Sequence, residues 1–326
     1  MAARLHPAPA SFQEIVDLRR LSVRDLEPLL AEESAVWREE LEWDFEKSAD
    51  LVRRFVELRA LNGSALLEYG AVTGYVYYVL EENKGLVGDL YVRRDFRGME
   101  RESCLLEAAL DPVMASPNVM RVECQLMMLG AAARGNAPRS QYLSTFERNF
   151  MRIDLERAPL KTIRLRRAIY LERWSDHYQD AAGQLIAAAY TGHIDGRIND
   201  QYRSSAGARR FLYNIVQYPG CGAFYRPASY AAFDAATGHL CGVSLASLVA
   251  PDCGHITQIC VAPEVQGTGV GYELLRQSLT TLRDVRCRAA SLTVTAANTQ
   301  AVALYERVGF ETIRRFSAFV WEGFRK

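Results

Sequence analysis

The chain has no surplus of either charge: 39 lysines and arginines face 39 aspartates and glutamates in 326 residues. That balance removes the electrostatic case for a nucleic-acid partner or an anionic membrane surface. Long hydrophobic runs are also missing. The most apolar stretch, Ala65 to Leu80, is interrupted by Glu68 and is shorter than a bilayer span. The N-terminal MAARLHPAPASFQEIVD has one arginine and lacks the apolar core of a signal peptide. Seven cysteines occur without one CxxC pair, so buried reduced thiols are expected, with neither a disulfide framework nor a metal site. These absences give the expectation of a soluble, cytoplasmic protein.

What is present is concentrated near the C-terminus. Gln266-Gly267-Thr268-Gly269-Val270-Gly271 lies between a strand-like apolar run and an amphipathic, helix-like stretch. Such a turn makes an anion site. The first N–H groups of a helix have no internal partner, the helix dipole favours negative charge there, and glycine allows close backbone approach. The turn lacks the first glycine of the dinucleotide fingerprint and the Lys-Ser/Thr ending of a P-loop. Farther on, Leu292, Val294 and Ala296 alternate as in a strand, and Asn298 stands where a helix N-cap belongs. Ala301, Leu304, Tyr305 and Val308 then recur at helical spacing, and Gly309 is placed to end that helix.

The first half matches the second at an offset of 169 residues: Gly85 falls on Gly254, Leu90 on Ile259, Val92 on Val261, Arg97 on Gln266 and Gly98 on Gly267. Where the second copy has Gly269 and Gly271, the first has Glu100 and Glu102. Carboxylates do not suit a phosphate cradle, because like charges at ~4 Å cost about 4 kcal/mol per pair at an effective dielectric near 20, unless the side chains swing outward. Phe146-Glu147-Arg148 is read as the counterpart of Tyr305-Glu306-Arg307, which would leave the first copy without a phenol. The boundary is set near Pro159, giving domains 1–160 and 161–326. Within the second, LKTIRLRRAIYLERW is read as the opening strand. Helices follow over 180–190 and 204–216, the latter ended by Tyr218-Pro219-Gly220, and strands over 229–235 and 240–249.

Glycine loop, Asn298 and Leu304-Tyr305-Glu306-x-x-Gly309-Phe310 together resemble the GNAT superfamily of N-acetyltransferases. The resemblance implies an α/β fold (α+β mixed sheet) of two tandem domains. Each would be a mostly antiparallel twisted sheet with a splayed central parallel pair, flanked by helices. It implies acetyl-CoA as cosubstrate, held by the backbone of Ile259, Cys260 and Val261, by Gln266, Gly267, Thr268, Gly269, Val270, Gly271 and Tyr272, and by Asn298. By the same resemblance Tyr305 is the general acid, its alternative being a core aromatic, and His255 the general base, its alternatives being a solvated strand end or a water chain. Cys260 offers a covalent route beside direct attack in a ternary complex. His193, Asp195, Asp200 and Tyr202, with Arg203, lie where members of the superfamily shape the acceptor pocket, so a small-molecule primary amine is expected there. The degenerate first copy, with no cofactor site, is expected to make a pseudo-dimer within a monomeric chain, an architecture similar to that of mycothiol synthases. Mycothiol-synthase-like acetyl transfer and a non-catalytic, CoA-binding regulatory or scaffolding role are the alternatives.

Overall fold

A computed structural model describes residues 13–218 and 220–325. The N-terminal segment judged above for a signal peptide lies outside the described residues as far as residue 12, as does Pro219. In chain order the elements are β1 (Gln13–Asp17), α1 (Val23–Leu41), α2 (Glu46–Glu57), β2 (Gly63–Glu68), β3 (Ala71–Glu81), β4 (Lys84–Val92), α3 (Met99–Ala115), β5 (Arg121–Leu126), α4 (Ala131–Gly135) and β6 (Leu143–Asp154). There follow β7 (Ile169–Arg173), α5 (Gln179–Ala189), α6 (Asp195–Ile198), α7 (Ser205–Gln217), β8 (Ala223–Phe224), β9 (Tyr230–Asp234), β10 (Leu240–Ala250), β11 (Cys253–Val261), α8 (Val270–Asp284), β12 (Ala289–Thr295), α9 (Thr299–Val308) and β13 (Glu311–Glu322). No helix among the described residues is long and apolar enough to cross a membrane.

The chain divides into two compact units that do not follow the sequence halves. Among the described residues, one holds 13–35, 49–145 and 319–325, and the other holds 36–48, 146–218 and 220–318. In the first unit the strands run in the order β1-β2-β3-β4-β5, antiparallel except for the parallel pair β4 and β5. Leu105, Leu106, Ala109, Leu110 and Val113 of α3 pack on Leu66, Val76, Val87 and Leu90. In the second unit the order is β6-β12-β11-β10-β9-β7, again antiparallel except for β11 and β12. One core joins Leu275, Leu279 and Leu282 of α8 to Ile256, Leu292 and Val308, and another joins α5 and α7 to Val243 and Leu245. The architecture is thus the mixed sheet of parallel and antiparallel strands flanked by helices that the motifs imply.

The repeat is exact in its central elements: at an offset of 169, β4 covers β11 from end to end. Gly85 and Gly254 occupy matching places for the same steric reason. A Cβ at Gly85 would stand 2.2 Å from Val113, and one at Gly254 2.5 Å from Leu282, so only glycine lets the helix settle on the strand in either copy.

Two readings need correction. Phe146 lies on a strand, β6, and has no structural likeness to Tyr305 on α9. At the repeat offset the counterpart of Tyr305 is Asn136, the C-cap of the one-turn helix α4. Of the two carboxylates of the first copy, Glu100 is exposed, whereas Glu102 is 2 % exposed and accepts a hydrogen bond from Gly130 N–H at 2.8 Å. Burial raises the Glu102 pKa while Arg97 and Arg134 pull it down. The stretch 161–168 is not a strand. It pairs with a loop instead, Arg166 N–H donating to Thr268 O at 3.0 Å, and regular β structure begins only at Ile169.

Two segments from the first half of the sequence complete the second unit. β6 pairs with β12 from Asp154↔Ala289 to Arg148↔Thr295. Residues 36–48 bring Trp37 into ring contact with both Trp43 and Phe45, and Glu42 pairs with Arg152 at 2.7 Å and Arg288 at 3.1 Å.

Candidate active site

The parallel pairing of β11 with β12 begins at Cys253↔Ala289 and stops at Ile256↔Leu292. Thr257 is an extra residue in the ladder with β10, since Leu245 pairs with Gln258 and Ala246 with Ile256. Such a bulge bends its strand, and here the Thr257 hydroxyl fixes it by donating to Leu245 O at 3.0 Å. Beyond it, Gln258 to Val261 keep only β10 as a partner, while β12 runs on beside β6. The result is a wedge. Ile259, Cys260 and Val261 stand along it with backbone groups available on the side from which β12 has departed.

At the end of β11 the chain turns through Gly267 (φ +72°) and Gly269 (φ +95°), left-handed conformations that disfavour any residue with a Cβ. Gly269 is the N-cap of α8. Glu273 is the first residue of the helix whose N–H reaches a backbone carbonyl, Gly269 O at 3.0 Å. The N–H groups of Val270, Gly271 and Tyr272 precede it and remain for an external acceptor. Gln266 and Gly267 are exposed, and Thr268 is tied to Val265 O through its hydroxyl at 2.6 Å.

On the other side of the wedge, Asn298 caps α9, its side chain accepting from Ala301 N–H at 3.3 Å. Gly309 at φ +112° closes that helix, donating to Tyr305 O and Glu306 O. Between these caps Tyr305 is 7 % exposed, edge-on to Phe310 at 5.9 Å, and its hydroxyl makes no hydrogen bond among the described residues. Burial first, then the Asp195 carboxylate, raise its pKa, with Arg148 opposing them. It stays a protonated phenol at neutral pH.

A polar cluster that the sequence motifs do not contain gathers beside Tyr305. Asp195 is bound by Arg148 at 3.3 Å and by the Thr295 hydroxyl. Arg148 also donates to Thr295 at 3.1 Å and Thr293 at 3.3 Å, while its Nε is buried without a partner. Asp195 is therefore an already paired carboxylate, and Arg148 is the residue that sequence reasoning missed. It sits on a strand outside the resemblance, with no local pattern to mark it. His193 is held between the Asp195 N–H, which donates to Nδ1 at 3.2 Å, and Asn298 Nδ2, 3.2 Å from Nε2. Tyr202 stacks on Tyr190 at 4.3 Å, and Gln258 bridges both phenols. Arg203 closes the loop by donating to Gly196 O at 2.6 Å, and Asp200 opens the same half-buried turn as Tyr202. Cys260 is half-buried, and desolvation of its thiol pushes it up to about 12.

His255 is held elsewhere. Its ring is 4 % exposed, edge-on to Trp43 at 5.0 Å and stacked near Phe150 at 6.1 Å, with Nδ1 2.8 Å from the Ser291 hydroxyl. Burial lowers its pKa from 6.5 to about 3. A base poised for neutral pH needs a value near that pH, so this environment does not suit the role expected of His255. It makes a stability prediction instead. The folded chain binds fewer protons here than the unfolded one, so this contribution is complete above pH 6.5 and is lost as pH falls toward 3. Its loss should approach about 1.4 kcal/mol per pH unit. Denaturant unfolding at stepped pH should show His255→Gln with a flatter profile than the native chain between pH 6.5 and 5. Parallel profiles would mean that the folded imidazole takes up protons freely.

Among the described residues, no group of three His, Cys, Asp or Glu stands together as metal ligands. Comparison with known proteins agrees with this geometry. Residues 197–310 match the acetyltransferase (GNAT) family. A 60-residue stretch is 42% identical to the mycothiol acetyltransferase of Pseudarthrobacter chlorophenolicus and covers 18% of this chain and 19% of that one, about a fifth of the relative's length. The solved GCN5-related N-acetyltransferase of Sphaerobacter thermophilus superposes with a TM-score of 0.69 over 96% of both chains at 17% identity. A tandem GNAT protein from the clavulanic acid biosynthesis pathway gives 0.61 over 95% of this chain and 98% of its own, at 16% identity. At such identities these two likenesses concern the fold. The splayed strand, the glycine turn and the capped closing helix all fall within the stretch, residues 197–310, that is similar to the acetyltransferase (GNAT) family.

Proposed function

We propose that the chain moves an acetyl group from acetyl-CoA to a primary amine of a small molecule, by direct attack within a ternary complex, and that its single cofactor site lies in the second unit. The observation that carries this reading is the unpartnered Tyr305 hydroxyl at the side of a wedge whose strand leads into a helix with three free N–H groups. The residues present fit the cosubstrate. Two left-handed glycines and the first turn of α8 suit a diphosphate, so Gln266 to Tyr272 hold it. The backbone of Ile259, Cys260 and Val261 takes the pantetheine arm and the thioester oxygen, and Asn298 adds a side-chain hydrogen bond.

When bound, acetyl-CoA supplies a thioester carbon open to nucleophilic attack. Tyr305 donates its phenolic proton to the departing sulfur as the C–S bond breaks and the N–C bond forms. His193, beside Asn298 and Asp195, accepts the proton shed by the amine, directly or through water. Arg148 and Thr295 hold Asp195 in place, so the carboxylate orients the loop that carries His193. Cys260 is not assigned a covalent step, because a thiol held near 12 offers little thiolate. In the first unit Glu102 places a carboxylate at the turn corresponding to the phosphate cradle, which argues against a second cofactor site there.

Titration calorimetry with acetyl-CoA should give one site per chain, and a broad panel of amines should include acceptors that release free thiol from it. Two equivalent sites would refute the assignment of the first unit as inactive. Tight binding with no thiol release across the panel would favour a regulatory, non-catalytic role.

A further inference from the structure

Residues 160–168 carry four cations and no acid: Lys161, Arg164, Arg166 and Arg167. Arg167 is paired with Asp234. The side chains of Lys161, Arg164 and Arg166 are exposed and have no acidic partner among the described residues. In a chain of zero formal charge, a local block of uncompensated cations is a departure that needs a reason.

Its placement supplies one. The segment is fastened along the glycine turn at three points. Arg166 N–H donates to Thr268 O at 3.0 Å, Lys161 O accepts from the Tyr272 hydroxyl at 2.5 Å, and Ile163 and Leu165 lie over Gly269, 3.0 and 3.1 Å from where its Cβ would stand. Apolar Ile163 and Leu165 thus alternate with Arg164 and Arg166, so packing on the turn leaves the cations outward. The backbone N–H groups of the turn are neutral dipoles suited to a diphosphate. A monoester phosphate dianion calls for full positive charges of the kind the strap holds in reserve.

We infer that the strap 161–166 recognises the 3′-phosphate of coenzyme A, so that this chain distinguishes coenzyme A from its 3′-dephospho form. The inference rests on the acetyl-CoA reading above, and it assigns to that site residues outside the glycine motif. All three side chains are exposed and the strap's fastenings are backbone or apolar, so K161Q/R164Q/R166Q should retain the native circular dichroism and Tm.

Calorimetry of coenzyme A and 3′-dephospho-coenzyme A against both proteins tests it. The native chain should prefer coenzyme A by about 10–100-fold, the scale of one or two charge-assisted contacts. In the triple variant that ratio should collapse toward one, with the affinity for the dephospho form unchanged within about threefold, and the salt dependence of coenzyme A binding should become shallower. Equal affinities in the native chain, or a preference that survives in the variant, would overturn the inference and leave the cofactor reading standing. Binding of neither ligand by the native chain would overturn the cofactor reading and this inference with it.

Discussion

Tyr305→Phe is expected to lower kcat by about 10²–10⁴-fold, the usual scale for loss of a positioned general acid. The substitution removes one oxygen that makes no hydrogen bond among the described residues and keeps the ring that contacts Phe310. Acetyl-CoA affinity and Tm should therefore hardly move, because volume and apolar contacts are conserved. Burial and the nearby Asp195 carboxylate both hold the phenol in its protonated form, so it is a competent donor throughout the neutral range. Steady-state kinetics with a saturating acceptor, compared with calorimetric affinity, separates the two effects. Near-normal turnover would make Tyr305 a packing residue and assign the proton to water.

Gly269→Glu should abolish measurable acetyl-CoA binding while Gly269→Ala weakens it to a lesser degree. Both variants carry the strain of a Cβ at φ +95° and the contact with Ile163 and Leu165 in the strap. A left-handed non-glycine residue costs about 1–2 kcal/mol. Only glutamate adds a negative charge where a diphosphate would lie, and like charges at ~4 Å cost about 4 kcal/mol at an effective dielectric near 20. The charge alone should then be worth about 10³-fold in affinity. The difference between the variants, measured by calorimetry and repeated at high salt, isolates that electrostatic part. Equal affinities for alanine and glutamate would show that the turn does not face the diphosphate.

The glycine turn and both ends of α9 could be read in the sequence because each is a local device. A left-handed glycine, an N-cap asparagine reaching Ala301 N–H and a C′ glycine beyond Val308 all act within about four residues of themselves. The repeat was legible for a similar reason, since β4 and β11 keep the same apolar alternation and the same glycine beneath a helix. Reading Phe146 as a partner for Tyr305 failed because a short motif was matched without its setting. A phenylalanine two residues before Arg148 satisfies a strand, and the helix that should have held it is shortened to Ala131–Gly135.

The sequence alone therefore determined the superfamily resemblance, the glycine turn, the repeat and the two caps that bracket Tyr305, all of which follow from backbone demands that near neighbours impose. Only the tertiary structure decided which residues meet across the chain. Arg148 reaches Asp195 because β6 is laid beside β12, and His255 is sealed because Trp43 comes to it from residues 36–48. The strap lies along the glycine turn because Arg166 N–H finds Thr268 O. Such pairings depend on strand register and on buried surfaces contributed from roughly 50 to 210 positions away, and the choice among them is made by packing and hydrogen-bond satisfaction in the folded state. No periodicity or short motif records that choice.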